Sequence, residues 1–473
     1  MFCLAGGRQN GGWEAIYVNN TTVGIGDISL YVPSPRMDLN RLVSYRLETL
    51  PNMERHFERA LRTTGQRSIR FPRSWEDSAT MAAEAAARLL SGTHGRKLDM
   101  QALRYLVSGT ETGLDYSKPL SAYVQGMLNA AGYNLPNHIA SYQVQHACAG
   151  ATAGILTTAA LLSASRGDAD FGVVTASDIA RYEGKSTAEV TQGAGAAAVL
   201  IEANPALLEI DVARPGFYSS DVDDFFRPLG SVTARVKGQY SMVCYRDSLA
   251  GALADFAKRN MTTVRDLLLS TDYFVLHAPF RNMPGIALEK IFENELGLSP
   301  EAVRSHLEAR GLYDSLEPIA DTGNTYTASV FIALASLLRN RYAAEGNAII
   351  GKSILVSSYG SGNTMILLSG RIAERAPSVI ASWPNPLVDE GYSASADEYE
   401  RWMHQGYQQP GTVNEAQGVP ELLHTGTTDQ QPTAGSFYLR DVRKDGYRDY
   451  GVVPQSGLQQ AGTEQTTTAN AER

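Results

Sequence analysis

Cysteine is scarce in this chain: 473 residues contain only 3, Cys3, Cys148 and Cys244. That is too few and too scattered for a disulfide framework, and no C-x-x-C pair is present to hold zinc. A reducing compartment, the cytoplasm, fits this usage. Positive charge is also in deficit. Lys and Arg number 41 against 50 Asp and Glu, a net charge of −9. That balance argues against a nucleic-acid protein held by phosphate contacts, and leaves room only for a local basic patch. Runs of about 18 apolar residues are missing, so no membrane span is expected. The first 20 residues lack a basic stretch followed by an apolar one, so no signal peptide is expected either. What remains is a globular composition, 43% hydrophobic and 19% charged. It suits one large core or two fused half-domains.

Residues 1–21 read as a ragged, disordered leader, and order is expected from Thr22. A first strand covers about 22–33, rich in β-branched residues and Gly. Helical patterning with dense charge follows over 37–63, then a strongly patterned helix over 77–90. Strands are expected at 103–108, 141–144, 171–175 and 195–201, with helices at 118–131 and from the Cys148 region to Ala164. The second half repeats the theme. It has a helix over 241–258, a strand over 273–276, helices over 284–294 and 328–338, and strands over 353–357 and 365–368. This alternation predicts an α/β fold with a mostly parallel sheet covered on both faces, and an internal duplication of fold. The expected division is 22–210 and 211–450, followed by a disordered tail over 451–473. Residues 376–434 read as surface-wrapping loops with a helical patch at 396–403.

One stretch stands out, Gln145-His146-Ala147-Cys148-Ala149-Gly150-Ala151-Thr152. A cysteine there sits at a strand-to-helix turn. A helix N-terminus favours an anion and would lower the thiol pKa; a buried cysteine used as a small hydrophobe is the plain alternative. Three more polar groups are expected at strand ends among small residues: Glu111, His277 and Asn324. In open α/β sheets chemistry gathers at such ends. Each alone is weak, since Glu111 could be a solvated loop carboxylate, His277 a structural histidine, and Asn324 a helix cap. Together they suit thioester chemistry. A thiolate takes an acyl group, a carboxylate raised by burial removes a proton alpha to its carbonyl, and a His–Asn pair holds a second carbonyl. Backbone N–H groups at Cys148 and in the Gly360-Ser361-Gly362 turn could complete an oxyanion hole.

Several motifs in one order then resemble the 3-hydroxy-3-methylglutaryl-coenzyme A (HMG-CoA) synthase family of the thiolase superfamily. They include Gly109-Thr110-Glu111-Thr112-Gly113, Ala147-Cys148-Ala149-Gly150, Ala176-Ser177-Asp178-Ile179-Ala180-Arg181-Tyr182, Thr191-Gln192-Gly193-Ala194-Gly195, Phe226-Arg227-Pro228, His277-Ala278-Pro279-Phe280, Gly323-Asn324-Thr325-Tyr326 and Ser358-Tyr359-Gly360-Ser361-Gly362. The match runs in register from about 22 to 450. The resemblance implies a five-layered αβαβα thiolase-like fold, a homodimer, and an acyltransferase of the mevalonate pathway. It implies that acetyl-CoA acylates Cys148. Glu111 then deprotonates the acetyl group, and His277 positions acetoacetyl-CoA and protonates the new alkoxide. Asn324, Tyr326, Ser361, Thr191, Tyr182 and Arg281 would line the substrate site. No metal or other cofactor is implied.

The sequence departs from that family at the residue after the nucleophile, usually Tyr and here Ala149, which predicts a pocket able to take acyl groups larger than acetyl. It departs again at Asn282, where a CoA-holding Lys is normal and Arg281 stands beside it, and at Thr233-Ala234, where Tyr-Pro is normal. These differences raise a carrier alternative, a polyketide β-branching enzyme acting on acyl-carrier-protein thioesters, with Arg281, Arg235 or Lys237 on a docking rim. A ketoacyl synthase III-type enzyme needs no carboxylate base, so Glu111 argues against it. A catalytically dead scaffold is disfavoured by the intact Glu111, Cys148 and His277.

Overall fold

The computed structural model describes residues 22–91, 96–165, 167, 169–228, 231–404 and 431–454. The expected leader over 1–21, residues 405–430 and the tail from 455 onward lie outside the described residues. Ten strands form one sheet: β1 (Val23–Tyr31), β2 (Leu103–Gly109), β3 (Ala140–Val144), β4 (Phe171–Ala180), β5 (Gly193–Ala203), β6 (Leu208–Ile210), β7 (Gly216–Ser219), β8 (Tyr273–Leu276), β9 (Ser353–Gly360) and β10 (Thr364–Ile372). Their order is β8-β9-β10-β6-β1-β5-β4-β2-β3, with β7 also pairing β10.

The same pairing sequence occurs twice. In the first half β2 runs parallel to β4, β4 antiparallel to β5, and β5 antiparallel to β1. In the second, β8 runs parallel to β9, β9 antiparallel to β10, and β10 antiparallel to β7. Only β2–β3, β2–β4 and β8–β9 are parallel within this sheet. The expectation of a mostly parallel sheet is therefore wrong, because short returns such as the β9–β10 turn need no crossover helix.

Helices complete the layers. On the outer face of the first half lie α1 (Ser78–Leu90) and α2 (Leu120–Ala130). The central layer holds α3 (Gly150–Ser163) and α6 (Ser329–Glu345), and the far face holds α4 (Gly238–Arg259) and α5 (Met283–Leu296). Strand β5 shows why two helical layers can sandwich one half of the sheet. Ala194, Ala196, Ala198 and Leu200 enter the core beneath α1, while Ala197, Val199 and Ile201 enter the central core. The period of two is intact, but both faces are apolar and small. Helix α6 is buried at every position from Ser329 to Leu338, as a helix in a middle layer must be.

The charged run over 37–63 is two helices rather than one, Leu39–Leu47 and Glu54–Thr64. Pro51 starts a short 3-10 turn between them, where its missing N–H and fixed φ are tolerated. Of the segment expected as loops over 376–434, the described part 376–404 contains helix Ala376–Ser382 and α7 (Ala396–His404), the second close to the expected patch. A late hairpin, β11 (Phe437–Val442) and β12 (Arg448–Val452), carries order past the expected boundary at 450.

This hairpin is fastened to the start of α1. Asp77 caps α1 through Oδ1, which accepts the N–H groups of Ala79 and Thr80 at 3.0 Å each. Its Oδ2 accepts Tyr450 OH at 2.7 Å and Arg448 at 3.2 Å. Asp77→Ala is expected to destabilise the protein by about 1–3 kcal/mol, since it removes a cap and a buried acceptor of Tyr450 and Arg448. Tyr450→Phe should cost about 1 kcal/mol. Urea unfolding of the two variants checks both values and their order.

Candidate active site

Each half brings a helix start of the central layer to the same place. Strand β3 ends at Val144, and the turn before α3 carries Cys148. Ala147, just ahead of it, is held at φ 41°, a left-handed conformation costing about 1–2 kcal/mol for a residue with a Cβ. Gly360, at the end of β9, presses on this turn. A Cβ there would lie 2.3 Å from the His146 carbonyl and 3.0 Å from the Ala149 Cβ, so only glycine fits. Ser358 on the same strand donates to the Cys148 carbonyl at 3.4 Å.

Cys148 is 5% exposed, and its Sγ donates to Glu111 Oε1 at 3.2 Å. Glu111 follows β2 and its side chain is 7% exposed, so it is not a solvated loop carboxylate. Burial, partly offset by the Arg227 cation, pushes its pKa up to about 7. The Cys148 thiol is also pushed up, by burial and then by the adjacent Glu111. The expected lowering of the thiol pKa by the helix terminus is therefore overturned for the resting site. The thiol stays protonated and points its hydrogen at the carboxylate.

The backbone around Glu111 is held by Asp178, a fully buried residue near the end of β4. Asp178 Oδ1 accepts Thr110 Oγ1 at 2.8 Å, Glu111 N–H at 2.9 Å, and Thr112 N–H and Oγ1 at 3.0 and 2.7 Å. Its Oδ2 accepts the Thr327 N–H at 3.1 Å, from the segment that opens α6. One carboxylate thus joins the Glu111 loop of the first half to the Asn324–Thr327 segment of the second.

His277 follows β8 and is 1% exposed. Its N–H donates to Ser357 O at 2.8 Å, and its carbonyl accepts Tyr245 OH at 2.7 Å. Burial lowers its pKa to about 3, so the ring is neutral across the physiological range. Ser329 Oγ lies 2.7 Å from Nδ1 and also accepts the Ala278 N–H at 3.3 Å. That arrangement favours a serine proton directed at Nδ1 and a ring proton on Nε2, leaving Nε2–H as a donor.

Apolar walls close the site. Cys148, Ala180, Tyr182, Ala234 and Tyr326 form one buried cluster, with Phe225 packed against it. The Phe225 ring meets the Tyr182 and Tyr326 rings edge-on at 6.4 and 5.9 Å. Asn324 Oδ1 accepts Tyr326 N–H at 2.8 Å, and its Nδ2 lies 3.5 Å from Tyr182 OH. A thiol and a raised carboxylate in a buried, aromatic enclosure can carry an acyl group and move a carbon-bound proton; the neutral His277 is tied to the same strand, β9, through Ser357, next to the Ser358 that bonds Cys148.

Profiles of the hydroxymethylglutaryl-coenzyme A synthase N-terminal and C-terminal regions match residues 19–206 and 313–452. A hydroxymethylglutaryl-CoA synthase of Haloferax volcanii is 30% identical over 388 residues, covering 72% of this chain and 84% of that one. The chain belongs to the HMG-CoA synthase family. The solved structure of MvaS in complex with 3-hydroxy-3-methylglutaryl coenzyme A superposes with a TM-score of 0.76 at 30% identity, over 92% of this chain and all (100%) of that one. The HMG synthase of the curacin biosynthetic pathway, solved in complex with holo donor-ACP, has the same fold, with a TM-score of 0.75 at 24% identity over 91% of this chain and 100% of that one. The five-layered thiolase-like architecture expected of this HMG-CoA synthase family is the one observed.

The remaining predicted residues divide. Tyr182, Tyr326 and Asn324 stand together beside Cys148. Asn324 does not follow a strand as expected; it lies between two helices, with Oδ1 occupied by a cap-like bond and its amide donors toward Tyr182. Thr191 spends its hydroxyl on Ala188 O at 2.8 Å and contributes through its carbonyl, which accepts the Asn324 N–H at 3.1 Å. Ser361 occupies the turn after Gly360; in that turn the Gly362 N–H is bonded to Asp224 at 2.9 Å and is committed elsewhere. Arg281 is tied to Glu317, with Nε to Oε1 at 2.8 Å, and to Asn282 Oδ1 at 2.9 Å.

Sequence reasoning gave no roles to Asp178, Arg227 or Ser329. A carboxylate in a strand buried at all ten positions was a usable signal for Asp178. Ala149 also proves different. It is fully buried against Ile366, Leu368, Ala153 and Leu156, between α3 and β10, and not in the Cys148 cluster. Its small size does not widen the acyl pocket. Ala149→Leu is accordingly expected to lower stability by about 1–3 kcal/mol through overpacking, with no change in the ratio of acetyl to propionyl transfer. Thermal unfolding and a two-donor acylation assay check both parts.

Proposed function

We propose that this chain is a hydroxymethylglutaryl-CoA synthase, condensing acetyl-CoA with acetoacetyl-CoA and water to HMG-CoA and CoA. The observation that carries this reading is the 3.2 Å contact between Cys148 Sγ and a buried Glu111 whose pKa is raised to about 7. As Sγ attacks acetyl-CoA, Glu111 takes the thiol proton and returns it to the departing CoA thiolate. The enzyme then holds an acetyl thioester, and Glu111 is again a carboxylate. It removes a methyl proton, and the carbon attacks the ketone of acetoacetyl-CoA. His277 holds that oxygen through Nε2–H, and the proton gained by Glu111 balances the new alkoxide. Water then cleaves the thioester and regenerates Cys148. Each step moves protons and acyl groups only, so the scheme balances without a metal or redox cofactor. Asn324 and the Tyr182–Tyr326 wall orient the acyl groups, and the Ser361 turn borders the thioester.

The wider setting belongs to the same reading: a homodimer in the cytoplasm, serving the mevalonate pathway. Two features support it. Among the described residues no helix is long and apolar enough to cross a membrane. Strand β3 is the last of its sheet and pairs on one side, leaving backbone groups for a partner. We also keep the division at 210/211, which falls between the two repeats of strand pairing.

A carrier-protein thioester as substrate is the second reading, and one observation favours it. Arg281 and Asn282, which the family likeness would put on CoA, are bonded to Glu317, to each other and to the Arg62 and Thr63 carbonyls. Free CoA release from acetyl-CoA plus acetoacetyl-CoA, run beside carrier-bound acetoacetate, separates the two.

Cys148→Ala is expected to abolish covalent labelling by radioactive acetyl-CoA, and retained label would refute the nucleophile. Glu111→Ala should acetylate slowly, because the thiol loses its proton acceptor, and the acetyl-enzyme it does form should condense at least about 100-fold more slowly; condensation of that acetyl-enzyme at the normal rate would remove Glu111 as the base. Because the base must be ionised and its pKa is raised to about 7, condensation should fall as pH drops below about 7. His277, lowered to about 3, should add no second limb between about pH 5 and 8. Single-turnover rates across that range check the profile.

A further inference from the structure

Arg227 lies outside the Cys–Glu–His set, yet it is built into the Glu111 loop. Its Nη1 donates to the Glu111 backbone carbonyl, and its Nη2 stands 3.8 Å from Glu111 Oε2. Both side chains are largely buried, at 16% and 7% exposure. The guanidinium lies 5.8 Å from the Tyr326 ring centroid, on the aromatic wall of the site. The segment that carries it is fixed: Phe225 and Phe226 pair antiparallel with Val236 and Arg235, and Phe225 is wedged against Tyr182 and Tyr326.

The other charges that act most on Glu111 are acidic. Asp178 reaches it from β4 and Asp224 from the loop after β7, and both oppose its ionisation. Cys148 at the start of α3 is a neutral thiol donor, and the phenols of Tyr182 and Tyr326 are held neutral by burial. Arg227 is the cation that acts on Glu111 from this surrounding. Its bond to the Glu111 carbonyl does not depend on whether the carboxylate is protonated. The cation therefore stays in place through the whole proton cycle, where a group bound only to the carboxylate would be released at each protonation.

We propose that Arg227 is a positioning residue for Glu111: it fixes the loop that aims the carboxylate and supplies the counter-charge for its ionised form. The assignment rests on Glu111 being the base, and deepens that reading by naming what keeps the base ready. A lysine would retain the charge but lose the two-pronged geometry that spans carbonyl and carboxylate.

The test compares wild type, Arg227→Met and Arg227→Lys in two pH series. The first follows single-turnover condensation of acetyl-enzyme with acetoacetyl-CoA. The second follows alkylation of Cys148 by iodoacetamide, which uses no substrate. Arg227→Met should displace both profiles to higher pH by about a unit or more and slow each process at least about fivefold at pH 7. Arg227→Lys should recover most of the displacement, while condensation stays slower than wild type because the carbonyl bond is lost. Lower rates with unmoved profiles in the Met variant would mean a merely structural arginine and would overturn the proposal, as would wild-type behaviour. Should Arg227→Met not fold, Arg227→Lys and Arg227→Gln carry the same comparison, with the shift expected in Gln and not in Lys. If wild type alkylates normally but never condenses, the functional reading fails; the alkylation series still decides the role of Arg227.

Discussion

The geometry of the site depends on one buried carboxyl group. Asp178 is fully enclosed and receives hydrogen bonds from Thr110, Glu111, Thr112 and Thr327. An isolated carboxylate in such a place would be too costly to keep ionised, but donors on both oxygens change the balance. The donors come from two chain segments more than 200 residues apart, at positions 110–112 and 327. Satisfying Asp178 therefore requires both halves to be assembled. The loop that carries the base and the segment that carries Asn324 are set by the same bonds, so neither can drift without orphaning donors in a dry interior.

Dryness also explains the electrostatics of the reaction. A carboxyl raised from 4.5 to about 7 has its charged form disfavoured by about 3 kcal/mol. That makes Glu111 a stronger proton acceptor than an exposed carboxylate while leaving it ionised in a useful fraction near neutrality. The price of the same burial is a thiol that is hard to ionise on its own. Pairing the two groups lets one proton serve both, so neither anion needs water. His277 meets the same environment in the opposite sense: burial keeps it uncharged, which in the proposed scheme suits a fixed dipole facing a developing oxyanion.

Much of this was legible in the sequence where a residue's job is local. The Cys148 turn announces itself by a strand followed by small residues. Glu111 and His277 were found because a loop after a hydrophobic strand is a local feature. What was not legible depends on partners distant in sequence. Nothing near Arg227 reveals that it faces Glu111, since that contact spans more than 100 residues. Ala149 is next to the nucleophile in sequence, yet one step of helical rotation turns its side chain to the opposite layer, against Ile366 and Leu368. Adjacency along a chain at a helix start is a poor guide to adjacency in a pocket. The sheet was misread as mostly parallel because alternation of strands and helices does not count the hairpin returns.

The twice-repeated strand pairing has a consequence for how many sites the chain can have. Two helix starts of the middle layer, those of α3 and α6, reach the same cleft. One presents Cys148; the other presents Asn324 and Thr327, which carry no nucleophile. The copies share an architecture and differ in what they bring: one corner holds Cys148, and its counterpart supplies part of the wall around it. Among the described residues two like units thus build one site between them, and mutations that restored symmetry between the corners would rebuild its wall.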